Sequence, residues 1–304
     1  VLFRSDAILR RNVEGCICTE VTIVIVDVLQ VFLECHREDF CSAHPTIPVR
    51  NKAAALILTV MGSPLSQESA AVVFPLMRWI ALVLVDLLFW SEDTFCREVS
   101  KLVLRFSNSP FSGIRSEAAA LLFLLIKENK QNTGTFARMK MLTTVSLSEI
   151  VAGEGFSSSD GMKQCFGLIK QYAECFDHEG EHLYQPVQEN ITPQTSPLAV
   201  RQLSGTRARS KFRKAASKVI NQRRYLLEHR RESTVEEKNV FVSQINDLCN
   251  RLTEILHHLD SLKQLISADK DEDKLIDLYL RIADGYASAP ALRITWLQSL
   301  GKLH

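Results

Sequence analysis

Eight cysteines, eight histidines and a run of carboxylates at 269–273 are the side chains in this 304-residue chain best suited to metal or nucleophilic chemistry. Their spacing argues against such a site. Cys16 and Cys18 form a lone C-x-C, and Cys165 and Cys175 stand ten apart, with no second C-x-x-C or H-x-x-x-H at zinc spacing. Cysteines used this way behave as small apolar residues in a reducing compartment. His257 and His258 are adjacent, so on a helix they point about 100° apart and cannot chelate together as an i, i+4 pair would. They read as surface or boundary residues. Asp269 to Asp273 lacks the glycine and the distal glutamate of a calcium loop, so these carboxylates fit the start of a helix, where they meet unpaired N–H groups. Neither G-x-x-x-x-G-K-[ST], G-x-G-x-x-G nor G-x-S-x-G occurs. The expectation is a chain with no catalytic residue, no metal ligand set and no cofactor.

Charge gives the next candidate. The net charge is +1, from 36 basic and 35 acidic residues. Residues 201–231 hold eleven Lys and Arg against Glu228 alone, which leaves the rest of the chain at −9. "KFRKAASKVINQRRYLLEHRRES" can form a basic amphipathic helix with Phe212, Ala216, Val219 and Leu226 or Leu227 on one face. Arg207, Arg209, Lys211, Arg213, Lys214, Lys218, Arg223 and Arg224 are the candidate contacts to an anionic membrane or a partner. Ser204, Ser210 and Ser233 lie just after arginines, where a phosphate would weaken attachment. Nucleic acid is not expected, because only Phe212 and Tyr225 interleave the charges.

The elements around these residues read as helices. Hydrophobic residues are 46% and charged residues 23% of the chain, as in soluble globular proteins. Residues 1–177 form apolar stretches of about 10–20 residues, punctuated by Gly, Ser, Asn or Pro. Several are apolar nearly all round, as expected of helices held between neighbours. "VTIVIV", 21–26, is wholly β-branched and has strand propensity. The apolar pattern continuing to Leu33 favours helix. "AVVFPLMRWIALVLVDLLFW", 71–90, is interrupted by Arg78 and Asp86 and is too broken to span a bilayer, so it reads as buried core. Residues 178–233 have no period and many turn formers, as a partly disordered linker or insert does. From Thr234 a capping box with Glu237 opens a helix. On it, Phe241, Ile245, Leu248, Leu252, Ile255, Leu259, Leu262 and Ile266 keep a heptad seam. Cys249 and Leu256 widen that seam, which favours packing on a globular neighbour over a free coiled coil. A helix over about 272–286 and another opened by Ser288 and Pro290 complete a hairpin. The fold expected is all-α: stacked helix hairpins in a HEAT- or armadillo-like solenoid, without one strict repeat length. Val1 in place of methionine, and an apolar period still running at Leu300, suggest a piece of a longer polypeptide without a signal peptide.

The final hairpin, "LIDLYLRIADGYASAPALRITWLQSLGKLH", resembles the start of the DOCKER domain of the DOCK (dedicator of cytokinesis) family, in its zizimin-like or a neighbouring subfamily. The matching positions are Asp277, Leu278, Ala283, Tyr286, Ser288, Pro290, Leu292, Arg293, Thr295, Trp296 and Leu297. "IRSEAAALLFLLIKEN…TFARMKM" resembles the family's R-x-x-A-x-x-x-L-x-L-L and F-A-R-x-K-M segments, and "EGCICTE" its E-G-x-x-x-T-E segment. The insert at 178–233 has no counterpart. The resemblance implies an armadillo-like region at 1–177 and, after the insert, a long helix at 234–304 that leads into the first DOCKER lobe from about 275. It also implies guanine nucleotide exchange on Rho-family, Rac-like GTPases by later lobes outside this chain. This chain alone would then be no enzyme. Homodimerisation and a cytoplasmic setting, peripheral at the membrane, belong to the same expectation. The alternative is a helical-repeat scaffold without exchange activity.

Overall fold

The computed structural model describes residues 2–37, 40, 47–63, 65–89, 93–152, 159–175, 235–268, 272–287 and 290–301. Among these, all regular structure is helical: α1 (Leu2–Cys35), α2 (Ile47–Gly62), α3 (Gln67–Val83), α4 (Val85–Phe89), α5 (Asp93–Phe106), α6 (Ser112–Thr133), α7 (Ala137–Ala152), α8 (Asp160–Cys175), α9 (Val235–Ala268), α10 (Glu272–Gly285) and α11 (Pro290–Gly301). The β-branched run at 21–26 lies within α1. That helix has 34 residues, longer than the stretches of about 10–20 residues expected from the sequence.

The helices stack in two layers. One runs α1, α3, α6, α8 and the other α2, α5, α7, each helix touching the next in its layer. α9 closes the stack by packing on α8 and α7, and it carries α10, which carries α11. This is the expected solenoid-like arrangement of stacked helix hairpins.

Sandwiching explains the all-round apolar helices. α6 touches α3, α4, α5, α7 and α8, and six consecutive residues, Leu121 to Ile126, are buried on it. It ends at Gly134, whose φ of 73° is left-handed and whose N–H closes on the Lys130 carbonyl. The described part of this stretch, 71–89, is largely core, as expected. It forms α3 and α4, with a break at Leu84. Ser66 caps α3 by accepting from the Ser69 N–H at 3.1 Å. Pro75 sits inside α3 on its exposed side. The carbonyl that loses its usual donor belongs to exposed Ala71 and can turn to water.

α8 and α9 form an antiparallel pair. Lys163 Nζ donates to Asp260 at 2.7 Å, Ser159 Oγ donates to the same carboxylate, and Lys170 Nζ donates to Asn250 Oδ1 at 2.5 Å. The heptad seam faces this neighbour. Phe241, Ile245, Leu248, Leu252, Ile255, Leu259 and Leu262 are buried, and so are Cys249 and Leu256.

Candidate functional surfaces

The predicted contact residues Arg207, Arg209, Lys211, Arg213, Lys214, Lys218, Arg223 and Arg224 lie outside the described residues, as do Thr234, Asp269 and Ser288. The other motif residues of the terminal hairpin are within them. Ala283 and Tyr286 are buried and Leu278 is half-buried against the core. The Tyr286 ring stacks on Trp296 of α11, with centroids 6.3 Å apart and planes 4° apart. Tyr279 meets the same indole at 5.9 Å. Leu292 joins Trp296 on the inner side of α11. Arg293 donates to Asp284 at 3.0 Å across the hairpin, and Asp277 pairs with Arg281 at 2.8 Å along α10. α10 approaches α9 so closely that a Cβ on Gly285 would lie 2.7 Å from Ile255 Cγ1.

The other motifs also serve packing. Ala118, Leu122, Leu124 and Leu125 are buried in α6. Arg115 donates from Nη1 to the carbonyls of Ser109 and Pro110, at 2.8 and 3.0 Å, and so ties down the turn before α6. In the F-A-R-x-K-M run, Phe136 and Met139 are buried. Arg138 donates to the Phe89 carbonyl at the end of α4, and Lys140 reaches Asp247 of α9 at 3.5 Å. In the E-G-x-x-x-T-E run, Thr19 Oγ1 donates to the Gly15 carbonyl at 3.0 Å and lies 3.1 Å from Ser66 Oγ.

The thiols divide by burial. Cys96, Cys165 and Cys249 are buried, whereas Cys16, Cys18, Cys35 and Cys175 are exposed, so the structural role expected of all cysteines holds for the first three. Burial pushes the Cys165 thiol up to about 12, with Cys249 adding in the same direction. Burial also pushes Cys249 to about 12. Neither is a thiolate at neutral pH, which removes both as nucleophiles. His257 is exposed and His258 half-buried, in keeping with boundary positions. Burial lowers the His258 pKa, helped by Arg281 and His257 and opposed by Glu254 and Asp277.

One surface was not anticipated from the sequence. Val13, Ile17, Val21, Val24, Val28, Val31 and Phe32 of α1 are exposed, Val28 to 64%. Val26, Leu29 and Leu33, on the other side, are buried where α1 meets α2 and α3. By length and composition Asn12–Cys35 could cross a membrane, and 17% of its most apolar window is buried. The available signal was the four–three spacing from Ile17 to Val31. Valine and isoleucine on every side of the helix mask it.

No protein-family model matches the chain, and no solved structure does. Curated relatives match along almost all of it. Dedicator of cytokinesis protein 7 of Mus musculus is 25% identical over 299 residues, 96% of this chain and 11% of the relative. Protein 6 of Mus musculus is 27% identical over 298 residues, 96% of this chain and 11% of the relative. Protein 9 of Mus musculus is 22% identical over 302 residues, 99% of this chain and 12% of the relative. The chain thus spans about a tenth of the length of the relatives it matches. Its homologues are dedicator of cytokinesis proteins, and the resemblance carried by the motifs extends through the whole helical stack.

Proposed function

We propose that residues 1–304 supply the helical scaffold and the beginning of the DOCKER domain of a guanine nucleotide exchange factor for Rho-family, Rac-like small GTPases. The observation that carries this is the match over 96% of the chain to dedicator of cytokinesis proteins. The packing of the motif residues supports a scaffold role, since they join helices rather than line a cleft. In this reading the lobes that grip the GTPase and expel its nucleotide lie outside these residues, and the chain alone is not an enzyme. Exchange needs groups set against the phosphates and magnesium, and in this reading those groups belong to the later lobes. The isolated chain is therefore expected to leave the release of a fluorescent guanine nucleotide from Rac-like GTPases at its intrinsic rate. Clear acceleration by this chain would overturn the reading.

The division into 1–177, 178–233 and 234–304, homodimer formation through the first lobe, and a cytoplasmic setting belong to the same proposal. So does attachment of the basic insert to anionic membrane, where each basic residue contributes about 1 kcal/mol near the surface. Co-sedimentation with phosphatidylserine vesicles should fall when Arg207, Arg209, Lys211, Arg213 and Lys214 are replaced by glutamate. Undiminished binding would end that part of the proposal. The second reading, a helical-repeat scaffold without exchange activity, draws on the solenoid-like stacking of the first half.

A further inference from the structure

We propose that α9, α10 and α11 are held to the rest of the stack by docking alone, on a face built from α6, α7 and α8, so that cutting the chain between α8 and α9 leaves the terminal hairpin in place. The functional side of this rests on the reading above. If α10 and α11 begin the DOCKER domain, this face is what couples that domain to the scaffold.

Three sets of contacts are spread along α9. Near its start, Phe241 lies between the rings of Phe123 and Phe136, and Lys130 both covers that ring at 4.8 Å and donates to Gln244 at 3.3 Å. In the middle, Lys140 of α7 reaches Asp247 and Lys170 of α8 donates to Asn250. Further on, the Asp260 carboxylate accepts from both Ser159 and Lys163, at the first turn of α8. That turn is held from its other side as well. A Cβ on Gly161 would lie 3.0 Å from Asn108 Oδ1 and 3.1 Å from the Ser107 carbonyl oxygen, between α5 and α6. From Phe241 to Asp260 the docked length is about 28 Å, at 1.5 Å per residue. Beyond α10, the Tyr286 hydroxyl meets Ser148 of α7, so the hairpin touches the stack directly as well as through α9.

The chemistry of the joint is that of a permanent interface. The seam of α9 and the residues that widen it are at most 6% exposed. The Lys163 and Asp260 side chains are 20% and 27% exposed, largely shielded from water. An interface that is apolar along its length resembles a core cut in half, as in obligate complexes, whereas joints that let domains move are smaller and more polar. A short flexible tether adds an effective concentration on the order of millimolar. Contacts of this extent hold without it.

The test uses the full 304-residue chain with a protease-recognition sequence placed between Gln194 and Thr195. After cleavage the two pieces should elute as one particle at micromolar concentration, with circular dichroism unchanged. Asp260→Lys should raise the concentration at which the cut pieces separate by about tenfold, because Lys163 then faces a second ammonium group and Ser159 loses its acceptor. Adding Lys163→Asp to that variant should recover most of the loss, which a variant that merely misfolds would not show. Separation of the unmodified pieces on cleavage would overturn the proposal. So would a double variant that holds no better than Asp260→Lys alone. Association is read here without any GTPase, so this result and the exchange reading stand or fall separately.

Discussion

Replacing Tyr286 by alanine is expected to destabilise the terminal hairpin by about 3–5 kcal/mol, the range for removing a large aromatic from a packed core. The ring is fully buried and is the partner on which Trp296 stacks, so its loss opens a cavity between α9, α10 and α11. The close approach at Gly285 fixes the depth to which α10 sinks onto α9 and limits collapse around the gap. Replacement by phenylalanine should behave differently. Among the described residues the Tyr286 hydroxyl is buried with no hydrogen bond of good geometry, and only a weak one to Ser148. Burial pushes its pKa to about 12, with that Ser148 hydrogen bond pulling it back. Removing a poorly paired buried hydroxyl while keeping the ring is close to neutral. Urea denaturation followed by Trp fluorescence checks both variants. Equal losses for alanine and phenylalanine would show that the hydroxyl, and not the ring, holds the hairpin.

Phe241→Ala should cost a similar amount, about 3–5 kcal/mol, at the other end of α9. Phe241 lies between Phe123 of α6, at 6.4 Å, and Phe136 before α7, at 6.3 Å and nearly edge-on. Lys130 Nζ sits 4.8 Å from its centroid, a cation–π contact. Three elements therefore meet at one ring. Hydrogen exchange should accelerate first along α9 to α11, with α3 and α6 still protected. Uniform loss of protection across the stack would mean that α9 is not a separable closing element. Phe241→Leu should recover a substantial part of the lost stability, because it restores most of the volume but none of the aromatic geometry.

Helix existence was legible wherever a period was legible. The seam from Phe241 to Leu262 was visible, and its widening by Cys249 and Leu256 correctly pointed to a globular neighbour. The strand propensity of 21–26 lost to context: Val26 is buried while Val21 and Val24 face outward, so the run needed only helical neighbours on one side. The length of α1 was not legible, because the polar residues before Cys18 break the apolar pattern without ending the helix. The open face of α1 was hidden by composition. When Val and Ile occur all round a helix, sequence reveals that it is apolar but not which side the fold leaves uncovered. Ala118, Leu122, Leu124, Leu125, Phe136, Ala283 and Tyr286 were legible for a related reason: they are buried, and packing constrains residue type more tightly than exposure does.

α8 and α9 lie antiparallel, held by Lys163, Lys170, Asp260 and Asn250, yet residues 176–234 separate them in the sequence. The closing entropy of such a connection grows only logarithmically, about 0.6 kcal/mol for each doubling of its length. Both ends of the connection belong to one hairpin, and the contacts between α8 and α9 do not depend on what joins them. This junction is therefore a place where a lineage can gain length, positive charge or phosphorylatable serines while the scaffold stays as it was.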